Sequence, residues 1–389
     1  MKRINILNYL TLLLLFFCCT SCDSKGTMDN MRNDSLFVWQ PALTAPKYYP
    51  VQAQYARVMV GKDMNISMGE TFVGYGVANG VSLIDFDAAF GGLEIPTGLD
   101  ILWLSFAEKK FYRFKQSFSK EIQEKTLKLF QKEKHDDDGR YNCFAVTLLP
   151  GGRIWLSLTG TYINSIVCDS LQGEEVKMSL KDFDKDYYEA FKNLDSLCAS
   201  GLSDFDGATE NLKVNGILLG LWDKYAKRYP YEIKITFEDK RAIITAESPR
   251  SMEFGVRTIC YFPTGEKYDL KATKGIKDMA ALKKMYLSWY VDDIDYTGEF
   301  FFDENEILKV YPEVFGTTGQ MKPGVLNIEV SKYNNRFKIS LVSGEKSYQL
   351  KDTKIHVFSK RQDEEDSSSQ VVYNNHREIH SKNIRFIGE

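Results

Sequence analysis

One interval recurs along this chain and limits what it can fold into. The stretch opening at Trp39 and running to Tyr49-Pro50 resembles the one from Trp222 to Tyr229-Pro230. Leu104-Ser105-Phe106 resembles Leu287-Ser288-Trp289, and Arg153-Ile154-Trp155-Leu156-Ser157-Leu158 resembles Arg336-Phe337-Lys338-Ile339-Ser340-Leu341. The same spacing separates the members of all three pairs. Between the last two, Phe118-Ser119 ahead of Glu121-Ile122 has a counterpart in Phe302-Asp303 ahead of Glu306-Ile307, each reading as a strand end followed by a helix N-cap. A repeated order of elements in one register predicts a tandem duplication, against the alternative of two unrelated β-rich domains. At 389 residues and 43% apolar, the chain has enough material for two cores.

Local patterns fill in each unit. Val51 to Val60 and Thr71 to Val77 read as strands, and Leu99 to Phe106 with Lys109 to Phe118 as a strand pair. A helix from about Ser119 to Lys134 follows, with Ile122, Leu127 and Phe130 near one face. Tyr141 to Leu149 and Arg153 to Leu158 form a hairpin through Pro150-Gly151-Gly152, residues that supply the dihedrals of a tight turn. A second helix, Asp184 to Cys198, buries Tyr187, Phe191, Leu194 and Cys198 in one stripe. The second unit opens with Ile217 to Trp222 and the alternating strand Tyr231 to Phe237. The fold class predicted is α+β: two tandem related domains, each a mainly antiparallel sheet with a packed helix. The first spans 36–199 and the second 216–360, joined by a polar linker at 200–215. A flexible tail at 361–389 follows, acidic and Ser-rich at its start, with Ile384 to Ile387 able to dock as a small strand.

The amino terminus carries an address. Met1-Lys2-Arg3 is basic, and Ile4 to Phe17 is an apolar run of signal-peptide length, too short for a stable span. It ends in Cys19-Thr20-Ser21-Cys22, small residues before a cysteine as at a lipoprotein cleavage site, although Cys19 stands where Leu is usual. This predicts a signal peptide at 1–21, lipid attachment at Cys22 and a polar tether over 22–35. The location expected is the cell envelope, on the outer membrane. Cys143, Cys168, Cys198 and Cys260 lie in the body; export permits disulfides, and Cys143 with Cys168 could sit on neighbouring strands, while four buried thiols is an equal reading.

Fifty basic and 53 acidic residues leave a net charge of -3, and losing Lys2 and Arg3 with the leader makes the body more acidic, which argues against a nucleic-acid partner. Catalytic signatures are sparse. His376-Arg377-Glu378-Ile379-His380 matches neither zinc-helix pattern, and His135 and His356 complete the histidines. Asp136-Asp137-Asp138-Gly139 and Asp204-Phe205-Asp206-Gly207 lack the first and twelfth ligands of a calcium loop. Ser105 and Ser157 fall on strands, outside any nucleophile turn. No cofactor or metal is predicted. Glu108, Lys110 and Tyr112 alternate after a strand and share a face, so they are candidate binding residues, with a solvated hairpin face as the bland reading. Trp39, Tyr49 and Trp103 are candidates for a recognition platform, with core packing as theirs.

Several linked motifs carry a resemblance. They are Trp39; Thr44 through Val51; Ile95-Pro96-Thr97-Gly98-Leu99-Asp100 through Leu102-Trp103-Leu104-Ser105; Glu108 through Tyr112; Leu129-Phe130; and Leu149-Pro150-Gly151-Gly152 with Trp155-Leu156-Ser157 and Gly160. In order and spacing, residues 37–178 resemble the bacterial lipoproteins grouped as Domain of Unknown Function 2931. The second unit looks like a worn copy, with Asn334-Asn335 where Gly151-Gly152 stood. The resemblance implies a lipid-anchored envelope protein and brings no activity with it. The function expected is non-catalytic binding of a protein partner, possible roles including immunity or inhibition, with the membrane reached through the lipid. Two alternatives stay open: an envelope hydrolase using carboxylates such as Asp85 and Asp87, and a glycan binder.

Overall fold

The computed structural model describes residues 35–69, 71–78, 92–132, 141–160, 164–245, 251–254, 258–260, 275–316, 319–362, 369–377, 384 and 386–389. Strand makes up 48% and helix 22%, in several mainly antiparallel sheets with separate helices, so the class is α+β. Among the described residues no helix is long and apolar enough to cross a membrane.

The first half is two sheets face to face. One holds β1 (Gln40–Thr44), β7 (Tyr141–Leu149), β8 (Arg153–Gly160) and β9 (Asn164–Gln172) in the order β1-β7-β8-β9, with β1 parallel to β7. The other has the order β10-β6-β5-β2-β3, from β2 (Val51–Val60), β3 (Met64–Ser67), β5 (Pro96–Ser105), β6 (Lys110–Ser117) and β10 (Glu174–Val176), with the short β4 (Phe72–Val73) also on β2. Alternate residues of both sheets meet in one core: Leu99, Ile101 and Trp103 from β5; Phe144, Val146 and Leu148 from β7; Ile154, Leu156 and Leu158 from β8. In β2 the inward set changes from Val51 and Ala53 to Ala56, Val58 and Val60, because a bulge at Ala53/Tyr55 shifts the period by one. Helix α1 (Lys120–Lys132) starts where expected: Ile122 N–H donates to Ser119 Oγ at 3.3 Å. Its Phe130 stacks on Phe37 at 5.0 Å.

The second half repeats this topology. Its strands are β11 (Arg228–Phe237), β12 (Ile243–Ile244), β13 (Ser251–Phe254), β14 (Thr258–Cys260), β15 (Lys277–Ala280), β16 (Leu282–Val291), β17 (Ile294–Phe301), β18 (Gly324–Val330), β19 (Phe337–Ser343), β20 (Lys346–Leu350), β21 (Lys354–Arg361) and β22 (Gln370–Asn374). One sheet reads β15-β11-β18-β19-β20 and the other β14-β13-β16-β17-β21-β22, with β12 on β16. Strand β11 runs parallel to β18 as β1 does to β7, and β13-β16-β17-β21 follows β2-β5-β6-β10. Between β17 and β18 a helix sits where α1 sits between β6 and β7; it spans Glu304–Phe315 and is capped by Asp303, which accepts from Glu306 N–H at 3.0 Å.

The topology corrects the residue-level matches. Trp103 lies opposite Tyr112, and Trp289 opposite Tyr296, both pairs stacked with centroids 5.5 Å apart. Trp103 therefore corresponds to Trp289, not Phe106, and pairing Leu104 with Leu287 reverses faces. Trp222 lies in a helix rather than before a strand, and Tyr229-Pro230 belongs to β11, the counterpart of β1 and not of β2. The Arg153 and Arg336 segments do align face for face, with Leu156 and Leu158 inward as Ile339 and Leu341 are.

Five short helices fill the segment between the halves: α2 (Leu180–Phe183), α3 (Lys185–Phe191), α4 (Leu194–Ser203), α5 (Ala208–Asn215) and α6 (Leu221–Ala226). The single helix expected from Asp184 to Cys198 is broken, because Lys192 turns left-handed (φ 62°) and Asn193 caps a new helix by accepting from Ser196 N–H at 2.8 Å. The expected linker at 200–215 is helical and contributes to the core. Phe183 packs on Phe111 at 5.0 Å, and Gly201 lies against the Phe106 ring, where a Cβ would come within 2.6 Å. One apolar cluster runs from this outer face through Trp222 and Tyr225 into Leu287, Trp289, Phe300 and the last helix, α7 (Glu304–Phe315).

The tail at 361–389 is also partly built. Beyond β22, the segment Phe386–Glu389 forms a turn, not a strand, with Glu389 N–H donating to Phe386 O. It docks between the halves. Trp222 Nε1 donates to Gly388 O at 3.0 Å, Lys47 N–H to Glu389 O at 2.7 Å, and Ile387 N–H to Glu304 at 2.7 Å. Cys143 and Cys168 are not on neighbouring strands, since β8 separates β7 from β9; with Cys198 they are free thiols.

Candidate functional site

Three of the residues singled out from the sequence, Trp103, Glu108 and Tyr112, come together around the Pro150-Gly151-Gly152 turn. Gly151 and Gly152 both take positive φ (80° and 74°), which turns the chain but leaves the Gly151 N–H without a strand partner. Glu108 takes it: both carboxylate oxygens accept from Gly151 N–H, at 3.0 and 3.1 Å, and Oε1 also accepts from Tyr112 O–H at 2.9 Å. The Tyr112 ring lies so close over Gly152 that a Cβ there would be 2.6 Å away, and Trp103 stacks on that ring with centroids 5.5 Å apart. Gly173 in turn abuts Trp103, with a would-be Cβ 2.4 Å from its ring. Burial and then the Glu108 charge raise the Tyr112 phenol well above its ordinary pKa, so it stays a donor. Glu108, Tyr112 and Trp103 thus form a clamp that holds a turn. Lys110 points into solvent and pairs with Glu175 at 2.7 Å.

The two remaining aromatics are core as well. Trp39, 1% exposed, donates from Nε1 to Glu94 O at 3.1 Å and packs edge-on to Phe144. Tyr49 packs edge-on to Trp222 at 5.6 Å and donates to Gly216 O at 2.9 Å. None of the three candidate aromatics is an exposed platform. In the second half a different device serves the equivalent turn: Asn334 adopts φ 55° and accepts from Trp289 Nε1 at 3.0 Å.

Two surface features were not anticipated. The first is the end of α5 and the loop from it to α6, where Val214 on the helix and Ile217 and Leu219 on the loop are 70%, 39% and 64% exposed. The loop is tied down: Tyr49 O–H donates to Gly216 O at 2.9 Å, Gly216 N–H closes α5 on Leu212 O at 3.0 Å, and Leu219 reaches over Gly151. The second is the outer face of β16-β17-β21, which carries a groove of about 680 Å³. Ser288, Thr297 and Phe358 stand directly opposite one another across the three strands, and Asp295 faces Lys360 one step along. Only the register across the three strands puts these side chains in one row.

The other sequence candidates are quickly placed. Ser105 and Ser157 are buried on strands, and Asp204 to Gly207 joins α4 to α5 with Phe205 in the core. His356 is buried, stacked on His376 at 4.3 Å and 3.5 Å from a Glu299 oxygen. Among the described residues no cluster of three His, Cys, Asp or Glu side chains could hold a metal. Cys22, the signal peptide, the tether up to residue 34, Asp85, Asp87, His135, Asp136 to Asp138 and His380 lie outside the described residues, as does the Cys260 side chain.

No curated protein and no solved structure matches the chain. A family model described as a protein of unknown function (DUF2931) matches residues 25–220, a span that takes in the Glu108 clamp, the Pro-Gly-Gly turn and the exposed apolar loop but leaves the second half unmatched. By that match, over half its length, the chain belongs to the DUF2931 family.

Proposed function

We propose that this chain is an exported lipoprotein, acylated on Cys22 and held on the outer membrane, whose work is non-catalytic binding of a protein partner, as an immunity or inhibitor protein would bind. Its second half is a diverged copy of the first, in keeping with the repeated strand order and the shared Trp–Tyr pair. The observation that carries the binding reading is the α5–α6 loop. Three exposed aliphatic side chains within six residues, on a backbone that Tyr49 ties down, are costly for a free surface, whereas pre-organised apolar anchors are what protein interfaces use.

A photo-crosslinking residue in place of Leu219 in the full chain, in cells, tests it. The expected result is one discrete protein adduct, absent when Val214→Asp is added and folding is unchanged. No protein adduct, or crosslinks to lipid alone, would overturn the reading. Lipidation is tested separately by Cys22→Ser, which should release the chain from the membrane fraction.

A further inference from the structure

We propose that the groove on the outer face of β16-β17-β21 is a binding site for an uncharged oligosaccharide. This goes beyond the protein-binding reading and does not depend on it. Aligning the halves on their stacked Trp–Tyr pairs shows what changed there. The row Leu102, Arg113 and Glu174 in the first half, a leucine buried under the helices beside two exposed charges, becomes Ser288, Thr297 and Phe358 in the second. The strand pairing that supports the row is the same, and at its outer positions, Thr297 and Phe358, two exposed charges have given way to a hydroxyl and a ring, while Ser288 at its inner end stays buried as Leu102 is.

The chemistry of the row suits a sugar. A half-buried Phe358 ring offers a flat apolar face to the C–H side of a pyranose, and the exposed Thr297 puts a hydroxyl beside it at strand spacing. Asp295, one row on, is held by Gln362 Nε2 at 2.7 Å on one oxygen and has a second with which to accept from a sugar hydroxyl. Asp295 lies directly opposite Lys360, so the two charges offset each other and the groove has no net pull for an anion or a cation. At about 680 Å³ it falls in the size range of small-ligand sites.

The test is calorimetric titration of the full chain, in a zwitterionic detergent without a sugar headgroup, with chitotetraose, cellotetraose and a sulfated tetrasaccharide. Saturable binding of a neutral oligosaccharide is expected. Phe358→Ala should weaken it about tenfold, the exposed Thr297→Val should weaken it without touching the core, and Leu219→Asp should leave it unchanged. No binding of either neutral sugar, binding of the sulfated one alone, or binding indifferent to both Phe358→Ala and Thr297→Val would overturn the proposal.

Discussion

Glu108 is the residue on which a binding role and a structural role part most sharply. Its carboxylate accepts from Gly151 N–H and from Tyr112 O–H, two donors in half-buried surroundings. A hydrogen bond to a charged group is worth about 1.5–3 kcal/mol net, and partial exposure favours the low end, so Glu108→Ala should cost about 2–3 kcal/mol. Tyr112→Phe, which removes one of the two, should cost about 1.5 kcal/mol in the wild type and under about 0.5 kcal/mol once Glu108 is gone, because the acceptor it loses is already missing. Glu108→Gln keeps an acceptor oxygen and should fall between. Urea unfolding followed by tryptophan fluorescence reports on this directly, since Trp103 stacks on Tyr112. Equal costs for Tyr112→Phe in both backgrounds, or a Glu108→Ala protein of wild-type stability that no longer binds its partner, would refute the clamp.

Three further outcomes are expected. Asn334→Gly should cost about 1 kcal/mol by losing the Trp289 bond, and Asn334→Ala about 1 kcal/mol more, because alanine resists the positive φ that glycine accepts; equal unfolding midpoints for the two would count against this. Burial pushes the Cys143 thiol up to about 11 and the Cys198 thiol up to about 12, so iodoacetamide near pH 8 should leave both unmodified in the folded protein and label both in denaturant without reductant, as read by peptide mass mapping. Burial raises the Glu304 carboxyl above its ordinary value of about 4.3. The folded state then binds more protons than the unfolded in that window, so stability should fall as pH rises through it, and Glu304→Gln should flatten the slope; identical slopes in urea midpoints measured from about pH 4 to 7 would exclude Glu304 as the source.

What could be read from the residues and what could not divide along the range of the forces involved. The Pro150-Gly151-Gly152 hairpin and the helix starts at Ser119 and Asp303 were legible because each depends on atoms a few residues apart: a dihedral preference, or a side-chain oxygen reaching an N–H three positions on. The α+β class followed from the same local periods. The broken helix at Lys192 shows the limit even at short range, since the apolar stripe from Tyr187 to Cys198 runs through a residue whose backbone turns left-handed.

Strand order lay beyond such signals. That β1 pairs with β7 and β11 with β18, both in parallel, joins segments about a hundred residues apart, and periodicity carries no record of partner choice. The candidate residues show the consequence. Alternation grouped Glu108, Lys110 and Tyr112 by face, but which of them would meet Gly151 and which would meet water depended on where the distant turn was folded back. Sequence by itself determined the local vocabulary of this protein: strands, helix caps, turns and the α+β class. Tertiary structure alone decided that its most distinctive residues are a clamp, that its linker is core, and that Ser288, Thr297 and Phe358 share a groove, because register across three strands is a property of their pairing and not of any one of them.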